Sequence, residues 1–274
     1  MMFDLYTPQV WVVTQQCGAG HAALRGEGGC VMHTQYILHT PVPVMTSSDP
    51  DIFPLSWRGE PINAWARALE GGDACARAEK IFAQAFDKYA AVQTLPRDLG
   101  AVYVLQELRY RGIAASGTNS LKNVYLKQGD RAAGFTDAWV ELTFHCEFSS
   151  ILLRVYADAF DVAAWDAVNP VGFVYFGSGV DAINAGMGSK TFDSAMYADG
   201  FLYPYATSTR ENDFNAFAGC LFMGGSEFFD AYSSAEKIRR KAGMVLDFYA
   251  RIGYAIASPV RPAPPTNVII KSAT

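Results

Sequence analysis

Hydrophobic residues recur every three to four positions in four segments of the chain, which is the spacing of one face of an α-helix. In the first segment Ile81, Phe82 and Phe86 share such a face, and in the last Ile238, Val245 and others do the same. The second segment is the longest and lies at the middle of the chain. The four predicted helices cover Ala74–Val92, Thr136–Tyr156, Glu211–Phe222 and Ser234–Ile252.

Two short segments between the first and second helices are rich in β-branched and aromatic residues, which favour strands. They are AVYVLQEL at 101–108 and NVYLKQ at 123–128. This order of elements predicts an α+β fold, in which a small mixed sheet is followed by a helical half around a central helix. Residues 1–55, rich in Gly, Thr, Pro and Ser, are predicted to be an irregular lead-in to a domain at 56–258, and 259–274 a Pro-rich tail.

Composition narrows the class of protein. The 274 residues are 50% hydrophobic, which supplies ample material for a core. The 22 Lys and Arg residues against 27 Asp and Glu residues give a net charge of -5, which argues against a nucleic-acid partner. No apolar run approaches the roughly 20 residues of a transmembrane helix, and the opening MMFDLYTPQVWVV does not resemble a signal peptide. The five cysteines are too scattered for a disulfide framework.

The segment that points most clearly to chemistry is TFHCEFSSILLRVY at 143–156, inside the long predicted helix. A second segment, GFLYPYATSTRENDFNAFA, occupies 200–218. Together they resemble the zinc-binding metallopeptidases of bacterial exported proteins and lipoproteins, a zincin-like family. The family's helix reads HHEFGHIL, and its second motif reads GF-x-x-x-YA-x-(S/T)…EDFAE. The resemblance covers roughly residues 76–255 and implies a zincin-like fold, a zinc cofactor, a peptide or protein ligand and an exported or envelope-associated protein.

The resemblance also implies which residues would form the zinc site. In H-E-x-x-H the two imidazoles at i and i+4 reach one Zn²⁺ from one helix face, and the glutamate polarises the bound water. Here the first ligand position falls on Cys146, the general base on Glu147 and the second ligand position on Ser150. The third, acidic ligand falls at the start of the next motif helix, where Glu211 and Asp213 are the candidates.

Both histidine positions of the motif are therefore substituted. Cys146 is a metal-ligand candidate as a thiolate. His145 is a further candidate, although one step along a helix turns a side chain by about 100°. Tyr203 and Tyr205 lie in the loop before the third-ligand helix and are predicted to line the substrate cleft. The other three histidines, His21, His33 and His39, lie outside the matched region.

Structural roles compete with these chemical ones. Cys146 also fits a small buried residue, or a partner of Cys220 in a disulfide or a close contact, and Asp213 fits an acid at a helix start. A Cys146 nucleophile with His145 as its base lacks a third group to orient the imidazole.

Two functions follow from the matched motifs. The first is a metallopeptidase-like protein whose zinc hydrolysis is impaired or lost because Cys146 and Ser150 replace the histidines. The alternative is a non-catalytic module that binds a peptide, glycan or partner protein in the same cleft. A third and weaker alternative is metal-independent chemistry in that cleft.

Overall fold

The fold is a mixed seven-stranded sheet with a helical half packed on it, as described by a computed structural model for residues 34–89, 92–254 and 256. The predicted α+β class, with a sheet followed by helices around a central one, is confirmed. The predictions for residues 1–33 and for the tail at 259–274 lie outside the described residues. The strands are β1 (Thr34–Leu38), β2 (Val44–Ser47), β3 (Trp65–Ala68), β4 (Ala101–Tyr110), β5 (Ile113–Ala114), β6 (Gly117–Asn119) and β7 (Asn123–Lys127).

The long strand β4 organises the sheet. It runs parallel to β2 on one side and to β7 on the other, while β3 and β5 pair with its far end in antiparallel fashion. The spatial order is β1-β2-β4-β7-β6, so β6 lies at an edge and pairs only with β7 along this path. Strands β4 and β7 were predicted from their β-branched and aromatic residues.

Two strands lie where the sequence predicted an irregular lead-in. Strands β1 and β2 form an antiparallel pair, and β2 continues into the sheet through its parallel pairing with β4. All four residues of β2 are buried, so its sequence VMTS shows no alternation of hydrophobic and polar positions. Strands β1 and β2 therefore belong to the sheet. Their backbone hydrogen bonds are satisfied by strand pairing, which the pattern of side chains in the sequence does not reveal. The predicted boundary at 258 stays a prediction.

The helices are α1 (Gly72–Asp87), α2 (Leu95–Asp98), α3 (Asp137–Val155), α4 (Val162–Asp166), α5 (Gly179–Asn184), α6 (Arg210–Met223), α7 (Ser226–Ser234) and α8 (Glu236–Arg251). The four predicted helices correspond to α1, α3, α6 and α8, with ends that agree to within five residues, whereas α2, α4, α5 and α7 were not predicted. Helix α3 begins one residue after Thr136, whose side chain accepts a hydrogen bond from the Trp139 amide and so caps the helix. Thr209 caps α6 in the same way through the Asn212 amide.

Helix α3 is the centre of the domain. It contacts α1, α6, β6 and β7, and eleven of its residues are buried. It lies close to α6 at Gly219, where an added Cβ would be 2.7 Å from the Leu142 Cδ1 and 2.8 Å from the Cys146 Sγ. A glycine at this position lets the two helix backbones come together. In the described part of the chain, no helix combines the length and hydrophobicity needed to cross a bilayer.

Candidate functional site

An open cleft of about 470 Å³ lies between the edge of the sheet and helices α3 and α6. Its walls are the β5–β6 segment on one side and residues 177–190 on the other. From α3 the cleft receives Glu147 and Ser150, and from α6 it receives Asn212 and Asn215. Each pair is spaced i and i+3, which places both members on one helix face.

Glu147, the predicted general base, lines this cleft. Its Oε2 accepts a hydrogen bond of 2.6 Å from the Asn119 Nδ2 on β6. Burial raises the pKa of this carboxyl, whereas the Asn119 hydrogen bond and the charge of Lys190 act in the opposite direction. The edge strand lies directly beside it, because a Cβ added at Gly117 would be 3.0 Å from the Glu147 Oε1. Glycine at 117 therefore permits the contact between strand and carboxyl group.

Ser150, at the second ligand position, is hydrogen-bonded across the helix pair. Its Oγ accepts a hydrogen bond of 2.7 Å from the Asn215 Nδ2, and both residues are buried. The Asn215 Oδ1 is buried and makes no hydrogen bond to the described residues. If the side-chain amide of Asn215 is flipped, the Ser150 hydroxyl donates to its oxygen and the NH₂ group lacks a hydrogen-bond partner. Either way one buried polar atom of Asn215 makes no hydrogen bond to the described residues.

His145 lies on the opposite side of α3 from the cleft. Two helix positions separate it from Glu147, which corresponds to a rotation of about 200°. Its ring is fully buried, lies 2.9 Å (Nδ1) from the Tyr89 hydroxyl and stacks on Phe222. Burial lowers the pKa of His145, so the neutral ring is favoured, although Glu141 near its Nε2 opposes this. The histidine is held in the core and does not reach Glu147.

Cys146, at the first ligand position, faces α6 rather than the open cleft. Its thiol donates to the carbonyl oxygen of Asn215 at 3.3 Å. Burial raises the pKa of this thiol to about 11, so the thiolate that binds zinc is disfavoured. Cys146 and Cys220 are both buried free cysteines, and the predicted alternative of a disulfide between them is not formed.

Asp213, a predicted third ligand, forms a buried ion pair behind the cleft. Its Oδ2 accepts from the Lys241 Nζ at 2.6 Å, from the Tyr175 hydroxyl at 2.7 Å and from the Trp165 indole at 3.1 Å. Both charged side chains are completely buried, and the Lys241 Nζ lies 4.0 Å from the centroid of the Phe201 ring. Burial raises the pKa of Asp213 and lowers that of Lys241. The carboxylate therefore binds α8 instead of pointing into the cleft.

The remaining predicted residues divide between cleft and core. Glu211 lines the cleft, and its half-exposed carboxylate pairs with the Arg154 Nη1 at 3.3 Å. Tyr205 also lines the cleft, and burial raises the pKa of its hydroxyl to about 12. Tyr203 is buried in the core against Phe192 and does not line the cleft. Of the predicted set, Glu147, Glu211 and Tyr205 line the cleft together, whereas His145, Cys146, Asp213 and Tyr203 do not.

The residues of the cleft do not fit zinc. Structural and catalytic zinc sites use imidazole and thiolate ligands with at most a minority of carboxylates. Helices α3 and α6 offer the cleft a serine, two asparagines, one carboxyl group held by Asn119 and one carboxylate paired with Arg154. Across residues 34–89, 92–254 and 256, no group of three or more His, Cys, Asp or Glu side chains is arranged to hold a metal ion.

Several cleft residues were not predicted from the sequence. Asn119 lies 28 residues before Glu147, and Lys190 lies in the loop after α5. Asn215 falls inside the second motif, and its i, i+3 spacing from Asn212 would have placed the two on one face. No sequence signal connects Asn119 or Lys190 to the motif helices, because only the tertiary fold brings them together.

Fold and site thus define an α+β protein with a polar cleft at a sheet edge, over two packed helices. Neither a protein-family profile nor a curated protein matches the chain. Among solved structures, the chain is similar to one described as a "putative zinc-binding metallo-peptidase" from Bacteroides caccae ATCC 43185. The two share 17% sequence identity with a TM-score of 0.44, over 66% of this chain and 71% of that chain. The similarity is remote, so the chemistry of the cleft is argued from its own residues.

Proposed function

We propose that this protein is a metallopeptidase-like protein whose cleft binds an extended peptide without zinc hydrolysis. The observation that carries the proposal is the juxtaposition of an edge strand with a neutral hydrogen-bonding surface. Ser150, Asn212 and Asn215 supply that surface, and Glu147 lies beside the strand. Because the ligand positions of the zinc motif do not fit zinc, hydrolysis by a zinc-bound water is not part of the proposal.

The backbone of β6 is suited to pair with a peptide. The Ser116 carbonyl accepts from the Lys127 amide at 2.9 Å, and the Ser120 amide donates to the Asn123 carbonyl at 2.8 Å, both toward β7. Backbone groups alternate in direction along an antiparallel strand. Those of Gly117 and Asn119 therefore point toward the open edge, where a peptide can add a strand. This backbone edge favours a peptide over a glycan as the ligand.

The first experiment tests the mode of binding. Affinity selection from a synthetic pool of random octapeptides, read by mass spectrometry, is expected to enrich a family of sequences. Each enriched peptide is then resynthesised with single N-methyl groups along its backbone. Two positions spaced two residues apart are expected to lose roughly tenfold or more in affinity, because N-methylation removes the donors that face the Gly117 and Asn119 carbonyl groups. Uniform tolerance of N-methylation, or binding to a glycan array with no peptide enriched, would contradict the proposal.

A matched pair of tryptophan variants locates the binding surface. Trp139 lines the cleft, whereas Trp65 is 46% exposed on β3 and does not. Trp139→Ala is expected to weaken peptide binding, and Trp65→Ala to leave it unchanged. Metal content by plasma emission spectroscopy, and cleavage of a quenched fluorescent peptide pool with added zinc, test the other half of the proposal. Stoichiometric zinc together with cleavage that disappears in Glu147→Gln would restore the peptidase hypothesis.

A further inference from the structure

Lys190 holds a central position in the cleft. Its Nζ lies 4.9 Å from the centroid of the Tyr205 ring and 5.5 Å from that of the Trp139 ring. The loop that carries it is fastened to the same tyrosine, because the Tyr205 amide donates to the Ser189 carbonyl at 3.0 Å. The two aromatic faces attract the ammonium group and fix its position without neutralising its charge.

Two cationic and two acidic side chains line the cleft, namely Arg111, Lys190, Glu147 and Glu211. Glu211 is paired with Arg154, and the Glu147 carboxyl is held by Asn119 with a pKa raised by burial. Within the described residues, no carboxylate oxygen lies within 4.0 Å of the Lys190 Nζ, so this lysine forms no ion pair there. Arg111, exposed at the mouth of the cleft, has the same sign. The Lys190 ammonium group therefore faces the cleft without a carboxylate in ion-pair contact.

A second group in the cleft also lacks a partner. The Asn215 side chain is buried, and one of its polar atoms is left without a hydrogen bond after Ser150 has been satisfied. A buried amide of this kind costs free energy. Its unpaired atom is closed to solvent, so Lys190 is the group that offers its charge to a ligand, and it favours a ligand of negative charge.

We propose that the cleft binds a carboxylate of its peptide at the Lys190 ammonium group. This inference rests on the proposed peptide-binding function and specifies its ligand class. The carboxylate has two sources in a peptide, the C-terminus or the side chain of Asp or Glu. Both present the same chemistry to an ammonium group, so the experiment distinguishes them by modifying the peptide.

The experiment uses the octapeptides enriched on the wild-type protein. Each is resynthesised with its C-terminus as the acid or the amide, and with Asp and Glu replaced by Asn and Gln. One of these neutralisations is expected to reduce affinity roughly ten- to a hundredfold, as for a charge-assisted hydrogen bond. Loss on amidation identifies the C-terminus as the source, and loss on side-chain replacement identifies an acidic residue.

Protein variants then test whether Lys190 is the receptor. Lys190→Met is expected to bind the charged and neutralised peptides with equal affinity, because the two changes remove the same interaction. Lys190→Arg is expected to keep most of the difference. Lys80, exposed on α1, provides the matched control, and Lys80→Met is expected to behave as wild type.

The outcomes are distinguishable from failure of the proposed function. If peptides bind but neutralising their carboxylates changes affinity less than twofold, the carboxylate subsite is refuted and peptide binding stands. A charge dependence that survives in Lys190→Met refutes it as well. If Lys190→Met does not fold, the comparison of charged and neutral peptides on the wild-type protein decides. If no peptide is enriched, both the subsite and the proposed function fall.

Discussion

Replacing Asp213 by Asn tests whether this carboxylate is a structural residue or a metal ligand. The substitution keeps the size of the side chain and its ability to accept from Tyr175 and Trp165, but it removes the negative charge. Lys241 is then left completely buried without its partner, which lies 2.6 Å away in the native protein. The variant therefore isolates the charge of one member of a sealed pair.

The expected magnitude follows from the burial of both groups. Breaking a buried ion pair by removing one partner costs about 3–5 kcal/mol. For a domain of this size each kcal/mol lowers the melting temperature by roughly 2–4 °C, so Asp213→Asn is expected to lower it by about 6–20 °C. The double variant Asp213→Asn/Lys241→Met is expected to recover at least half of the loss, because it removes the second charge too.

The assay is urea unfolding followed by circular dichroism, with a chelator and with added zinc. The loss in Asp213→Asn is expected to be the same in both conditions, since Asp213 faces α8 and not the cleft. A bound metal would instead add about 2.7 kcal/mol to the wild type at a hundredfold excess over Kd. The reasoning is refuted if Asp213→Asn costs less than about 1 kcal/mol. It is refuted equally if zinc stabilises the wild type and not the variant.

Two further predictions concern the packing of α3. Gly219→Ala is expected to cost about 1–3 kcal/mol of stability, because its Cβ would lie 2.7 Å from Leu142. Gly243→Ala in α8 meets nothing within 4 Å and is expected to be neutral or stabilising. The urea unfolding midpoints of the two variants check this prediction, and equal losses of stability would contradict it. Burial lowers the pKa of His145, so only the unfolded state takes up its proton near pH 6.5, and stability is lost as the pH falls below that value. His145→Phe is expected to remove this part of the pH dependence in urea titrations between pH 7.5 and 5, and an unchanged slope would argue against it.

The elements of the helical half could be predicted because local pattern and tertiary packing agree there. The apolar spacing of α3 and the capping side chain of Thr136 set its limits to within one residue of the prediction. Strand β2 escaped prediction because it is short and buried throughout, so it lacks the period of two that identifies a half-buried strand. Its place depends on β4, more than fifty residues later in the chain.

The candidate site was predictable along α3 and within the second motif, which supplied Glu147, Glu211 and Tyr205. Sequence spacing correctly puts Glu147 and Ser150 on one face and His145 on another, but it does not say which face meets the cleft. That depends on what packs against each side. Tyr89 and Phe222 enclose the histidine, whereas the edge strand leaves the opposite face open. Lys190 comes from a loop without periodicity, and nothing in the sequence pairs it with this helix.

The sealed position of Lys241 also gives the protein an internal reporter of its own opening. An amine enclosed between α6 and α8, with no solvent exposure, cannot meet an acylating reagent until those helices separate. Exposed lysines such as Lys80 react in the folded protein, so their labelling rate reports only the reactivity and concentration of the reagent. The ratio of the two labelling rates under native conditions therefore measures how often the helical half opens, without denaturant and without an introduced probe.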